Sequence, residues 1–123
     1  MKTLKQMIVM RHDLGMRRGK QIAQGAHASV LALTETGLDN PTIKTWADQG
    51  MPKICVRVNS EQELFDIQTQ ATENGLPVFV VCDEGRTEFN GVVTPTCLAI
   101  GPADSDAIAV SYTHLTLPTI CSV

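Results

Sequence analysis

No apolar run in this 123-residue chain approaches the roughly 18–20 residues needed to cross a bilayer as a helix. The first residues, MKTLKQMIVMRHD, are basic, but their apolar run spans only residues 7–10. A secretory signal needs an apolar region of about 7–15 residues and a small-residue cleavage site, so the cytoplasm is the expected compartment. Low-complexity tracts are missing too, and 43% of the residues are hydrophobic, which excludes global disorder. Paired cysteines are also absent. Cys55, Cys82, Cys97 and Cys121 stand at least 15 positions apart, so neither C-x-x-C nor zinc-ribbon spacing occurs. Cys55, Cys82 and Cys97 lie in apolar runs and are expected as small buried thiols. His12, His27 and His114 have no metal-ligand spacing. Neither a metal nor another cofactor is therefore expected.

The length suits one domain. The formal net charge of −3 speaks against a nucleic-acid partner, but the charge is unevenly spread. Lys2, Lys5, Arg11, Arg17, Arg18 and Lys20 are six of the ten basic residues, and Asp13 is the sole acid among the first 20. A local basic patch can attract phosphate even on an acidic protein; equally, it can be a solvated surface.

Apolar periodicity outlines the elements. LKQMIVMR reads as a buried strand and HDLGMRRG as a polar, glycine-containing loop. In KQIAQGAHASVLALTETG, Ile22, Ala26, Ser29, Val30 and Leu33 recur three and four apart, which predicts a helix. Its small residues would let it approach a sheet closely, and Gly37 is a stop signal. A shorter helix is expected over residues 42–48. KICVRV alternates Ile54, Val56 and Val58 with Lys53, Cys55 and Arg57, a strand pattern. Ser60 and Glu63 form a capping box ahead of Leu64, Phe65, Ile67 and Ala71. LPVFVVC is the most continuously apolar run, and is expected as the central strand. TCLAIG supplies a fourth strand, and a short acidic helix is expected over residues 104–110. Together these predict a single-domain three-layer α/β/α sandwich with a small mixed sheet of about four strands.

In such sheets ligands gather where loops leave the carboxyl ends of strands. Two loops qualify, residues 12–19 and 83–95. The first brings Arg17, Arg18 and Lys20 to a helix start, a natural anion site. Lys20, Gln24 and His27 share one helical face. The second brings Asp83, Arg86, Thr87 and Thr94, with Thr96 just inside the next strand. A carboxylate can orient or deprotonate water, a lysine can meet a developing oxyanion, and a basic patch can hold phosphodiesters. The set suits hydrolysis of an ester beside a phosphate. Each member also has a plain reading: a solvated lysine, a half-buried histidine, a turn aspartate. Other catalytic motifs do not fit. LGMRRGKQ is one residue short of a P-loop, with Gln21 in place of Ser or Thr, and G-x-S-x-G is absent.

RRGKQIAQGAHAS after a strand, then VVCDEGRTEF, then TCLAIGP, resembles the type-two peptidyl-tRNA hydrolase family over roughly residues 4–106. The resemblance implies a small α/β sandwich, usually dimeric and needing no metal, that cleaves the ester between a peptide and the terminal ribose of tRNA. It matches the family's active-site lysine to Lys20, and its D-x-G-x-T aspartate and threonine to Asp83 and Thr87. Thr96 matches the threonine opening the last core strand, although NGVVTPT is one residue longer than the commoner loop, which leaves Thr94 and Thr96 as alternatives. His27 matches the helix histidine, in substrate contact or site structure, and Arg17 and Arg18 fall where tRNA phosphate would lie. Deacylation of D-aminoacyl-tRNA at the same site, or a non-catalytic tRNA- or protein-binding role, are the alternatives. The domain is expected over residues 1–110. AVSYTHLTLPTICSV departs from the family's usual ending, and residues 111–123 read as an atypical, foreign tail.

Overall fold

The computed structural model describes residues 2–83, 91–113 and 119–122. In chain order the elements are β1 (Leu4–Arg11), α1 (Arg18–Thr36), α2 (Pro41–Asp48), β2 (Lys53–Val58), α3 (Glu61–Glu73), β3 (Val78–Asp83), β4 (Thr94–Asp104), α4 (Ser105–Thr113) and β5 (Thr119–Ser122). The strands form one mixed sheet in the order β3-β4-β1-β2-β5. β1 and β2 are parallel, while β4 runs antiparallel to both β1 and β3. The carboxyl ends of β1, β2 and β3 therefore share one edge of the sheet with the start of β4.

Strand alternation builds two cores. Met7, Val9, Ile54, Val56, Val58, Leu98 and Ile100 face Leu64, Ile67 and Ala71 of α3 and Ile108 of α4. Met10, Val81, Cys97 and Ala99 face Ala28 and Ala32 of α1, with Met16 packed beside them. Helices thus cover both faces, in a three-layer sandwich. α2 buries Ile43 and Trp46 and reaches the start of β1, where Gln49 bonds the backbone of Leu4 and Lys2.

Local chemistry fixes the helix starts. Asn40 Oδ1 accepts from Thr42 N at 2.9 Å, with Pro41 in the first turn of α2. Ser60 Oγ accepts from Glu63 N at 3.0 Å, and Glu63 Oε1 accepts from Asn59 N at 2.9 Å, one residue before the expected partner of the capping box.

Two expectations need correction, the central place of β3 and the burial of all three thiols. β3 is an edge strand, and β1 and β4 lie inside the sheet. A continuous apolar run reports helices covering a strand's faces; it carries no information about which strands lie beside it. The sheet-facing stripe of α1 is Gln24, Gly25, Ala28 and Ala32, whereas Ile22 and Val30 are 66% and 55% exposed. The larger residues of α1 form a second apolar face, and the small ones do the close packing. Of the thiols, Cys97 is buried, Cys55 is intermediate and Cys82 is exposed. Cys82 sits between inward-facing Val81 and Asp83, so the strand period turns it outward. A fifth strand joins the expected four. The backbone of β5 pairs with β2, and α4 runs through residue 110 to Thr113 with Ser111 fully buried.

Candidate active site

The shared sheet edge collects the polar residues. β1 ends at Arg11, and a loop leads from it to α1, with Met16 buried as its anchor. Gln21 Nε2 donates back to Met16 O at 3.0 Å, which closes the loop onto the helix start. That start breaks a local rule. It carries Arg17, Arg18 and Lys20 and no acid in its first turn, although the positive end of a helix dipole favours anions. A helix that accepts this cost presents a concentrated site for an external anion. Arg17 and Arg18 are exposed.

Lys20, in the first turn of α1, forms an ion pair through Nζ with Oδ2 of Asp83, the last residue of β3. The lysine side chain is 19% exposed and the aspartate 7%. Gln24, one turn further along α1, donates Nε2 to the same Oδ2 at 3.2 Å and is itself buried. Gln24 O in turn accepts from Cys97 Sγ at 3.3 Å, which ties α1 to β4. Burial pushes the Cys97 thiol up to about 11, so it stays protonated and donates. The carboxylate is therefore held by a cation and by the side-chain amide of a residue whose backbone is tied to β4. His27 is exposed on the same helix, on the face it shares with Lys20.

The two threonines of β4 occupy different places. Asp83 pairs in register with Thr94, after an irregularity between Val81 and Cys82. Cross-strand partners share a sheet face, so Thr94 stands beside the Asp83 carboxylate; its hydroxyl donates to Val92 O at 3.0 Å. Thr96 is skipped by the pairing and fully buried, and its hydroxyl donates to Val81 O at 3.3 Å. Arg86 and Thr87 lie outside the described residues. Among the described residues no group of three or more His, Cys, Asp or Glu side chains could hold a metal ion. No helix among the described residues is long and apolar enough to cross a membrane.

The start of α1 with Lys20, the end of β3 with Asp83, and β4 are the places the three sequence motifs occupy. A family model described as peptidyl-tRNA hydrolase PTH2 matches residues 4–118. This chain belongs to that family. It is 40% identical over 115 residues to the peptidyl-tRNA hydrolase of Methanocaldococcus jannaschii, covering 93% of this chain and 99% of that protein. It is 45% identical over 104 residues to the peptidyl-tRNA hydrolase of Halobacterium salinarum, covering 84% and 90%. Against the probable peptidyl-tRNA hydrolase 2 of Dictyostelium discoideum it is 39% identical over 114 residues, covering 92% of this chain and 54% of that longer protein.

Sequence reasoning missed Arg11, which is 8% exposed and joins both loops of the site. A charged residue directly after the apolar run of residues 7–10 was the available signal.

Proposed function

We propose that this protein hydrolyses the ester joining a peptide, or an N-blocked aminoacyl group, to the 3′ ribose of tRNA, and so recycles peptidyl-tRNA. The observation that carries this reading is the Lys20–Asp83 pair at the sheet edge, fixed by Gln24, in a chain of the peptidyl-tRNA hydrolase PTH2 family. Asp83 orients a water and draws on its proton as the water oxygen adds to the ester carbonyl carbon. Lys20 Nζ meets the charge that develops on the carbonyl oxygen. Collapse breaks the bond between the carbonyl carbon and the ribose oxygen, which leaves with a proton. The products are the free peptide acid and tRNA with its terminal hydroxyl restored. Asp83 and Thr87 position the water, and of the two threonines offered for the site Thr94 is the one paired across from Asp83, with Thr96 the alternative. Gln24 serves the site by holding Asp83. Arg17, Arg18 and Arg86 take tRNA phosphates, and His27 lies beside the bound end.

The same reading puts the protein in the cytoplasm as a homodimer. Support for the second copy comes from the outer face of α1. Residues 21–34 contain no Asp, Glu, Lys or Arg. An apolar groove of about 460 Å³ runs beside them, lined by Ile8, Met10, Ile22, Gly25, Val30 and Cys55. A ridge of Ile22 and Val30 beside a groove lets two copies pair about a twofold axis.

The deciding assay follows release of N-acetyl-aminoacyl groups from tRNA by the parent, Lys20→Ala and Asp83→Asn, with a free-amine aminoacyl-tRNA alongside. Cleavage of the N-blocked substrate by the parent, lost in both variants, supports the reading. Full turnover in both variants refutes the site, and binding of tRNA without cleavage by the parent refutes the enzyme.

A further inference from the structure

Arg11 closes β1 with its side chain almost wholly withdrawn from water, at 9% exposure. Its Nε and Nη2 hold both oxygens of Asp13, at 3.1 and 2.7 Å. Its Nη1 donates to the carbonyl of Pro95 at 3.1 Å and lies 3.8 Å from Oε1 of Glu61. These contacts join separate parts of the site. Asp13 begins the loop that ends at the cationic start of α1. Pro95 stands between Thr94 and Thr96, where the β3–β4 register slips.

A guanidinium at this point is an unexpected economy. Its neighbours on the same strand face, Val9 and Met7, are core residues, and an apolar side chain would cost no desolvation. A buried ion pair is often no more stabilising than apolar residues of similar volume. What the guanidinium adds is geometry: a planar fork with donors in fixed directions, able to grip a carboxylate and a carbonyl 82 positions apart in sequence.

We infer that Arg11 is a positioning residue for ester hydrolysis, holding the loop of residues 12–17 and the start of β4 at a fixed separation. Lys20 and the Thr94 hydroxyl then address the same ester. Asp13 completes the clamp by closing the fork on the loop side. The inference rests on the site proposed above. Misplacing reacting groups by about 1 Å can cost on the order of a hundredfold in rate, so a loosened clamp lowers turnover without removing any group that touches substrate.

The test uses the full chain and N-acetyl-aminoacyl-tRNA, with kcat and KM measured separately for Arg11→Gln, Arg11→Lys and Asp13→Asn. Each is assayed well below its own melting temperature. Arg11→Gln is expected to lose roughly 10- to 100-fold in kcat, with KM within about threefold. Arg11→Lys should recover part of that loss, since an ammonium keeps one contact but not the fork. A purely structural role would lower the melting temperature and leave kcat of the folded protein unchanged. If Arg11→Gln does not fold, Asp13→Asn carries the test, because the Asp13 side chain is 29% exposed and its loss is mild for the core. Arg11→Lys and Asp13→Asn both within twofold of the parent kcat would overturn the inference. Lys20→Ala measured alongside separates the two failures. If it is inactive while the clamp variants run at full rate, only the role of Arg11 falls. If it is fully active, the site itself falls, and the inference with it.

Discussion

Replacing Lys20 by Met is expected to harm both turnover and stability, and a second substitution should restore only the stability. The single change removes the cation facing Asp83, whose side chain is 7% exposed, and leaves the carboxylate with the neutral Gln24 amide at 3.2 Å among its partners. Breaking a fully buried pair costs about 3–5 kcal/mol, because the remaining charge is poorly solvated. Lys20 is 19% exposed, so water relieves part of that penalty, and about 1–3 kcal/mol is the expected cost. For a chain of this size that lowers the melting temperature by roughly 4–12 °C. The double variant Lys20→Met/Asp83→Asn removes the orphaned charge, and the Asn keeps an oxygen for Gln24 to bond. Its melting temperature should return to within a few degrees of the parent, roughly 1 kcal/mol or less. Turnover of N-acetyl-aminoacyl-tRNA should stay down by about 10²–10³-fold or more in both, since an oxyanion donor is worth roughly 3–4 kcal/mol in rate. Thermal unfolding and single-turnover kinetics on the same three proteins decide the matter. A double variant as unstable as the single one would show that the pair stabilises the fold outright. A Lys20→Met protein within tenfold of the parent rate would show that the ammonium does not meet the transition state.

Gly101→Ala is expected to destabilise severely, by about 3 kcal/mol or more in urea unfolding. Gly101 holds φ at +89°, and an added Cβ would meet Ala103 N at 2.7 Å and Lys5 O at 2.9 Å, backbone on both sides. The Cys97 thiol is raised from 9.0 to about 11 by burial. The unfolded chain therefore sheds this proton first, and stability should fall between pH 9 and 11, an effect that Cys97→Ala removes from the pH profile. Asp13 is held below its ordinary value of 3.8, chiefly by the Arg11 hydrogen bonds. Its contribution should be intact above about pH 4 and fade as pH falls further, so the stability gap between the parent and Asp13→Asn should close only in acid. Gly25→Ala should stabilise α1 by about 0.5–1 kcal/mol with no loss of turnover. Its Cβ would lie 3.5 Å from Met10 Cε and 3.9 Å from Ile8 Cγ2, ordinary contacts; a lowered melting temperature would refute this.

The four helices and the first four strands were legible because period and capping are local properties. Ile54, Val56 and Val58 point inward as their alternation demands, and Asn40 and Ser60 cap the helices they precede. The positions of Lys20 and Asp83 were legible because both sit where a strand or helix boundary meets the sheet edge. Long-range pairing was not. The edge place of β3 depends on β4 running between it and β1, which nothing in LPVFVVC encodes. That Thr94 pairs with Asp83 depends on the irregularity between Val81 and Cys82, since a slip of one residue changes which side chain stands across from Asp83. The role of Arg11 depends on Pro95, far away in the chain. For α1, spacing gave the helix and the small residues gave its close approach to the sheet, while the exposure of Ile22 and Val30 on a second apolar face is a matter of tertiary packing that the period does not report.

That orientation explains how a modest helix sets a demanding site. α1 rests on the sheet through Gly25, Ala28 and Ala32, residues with little or no side chain to stand between helix and strand. Close seating lets Gln24, a buried polar residue on this stripe, reach Asp83 and accept from Cys97 through its own carbonyl. With Ile22 or Val30 turned inward instead, the axis would be pushed outward, and neither bond could form. Helix–sheet spacing therefore comes first in the causal order, the Gln24 bonds second, and the Lys20–Asp83 pair third. Larger residues were free to occupy the outer face, since nothing there had to approach a strand. The small residues of α1 thus contribute little apolar area for burial, and what they supply is the distance at which a lysine and an aspartate from different elements can pair.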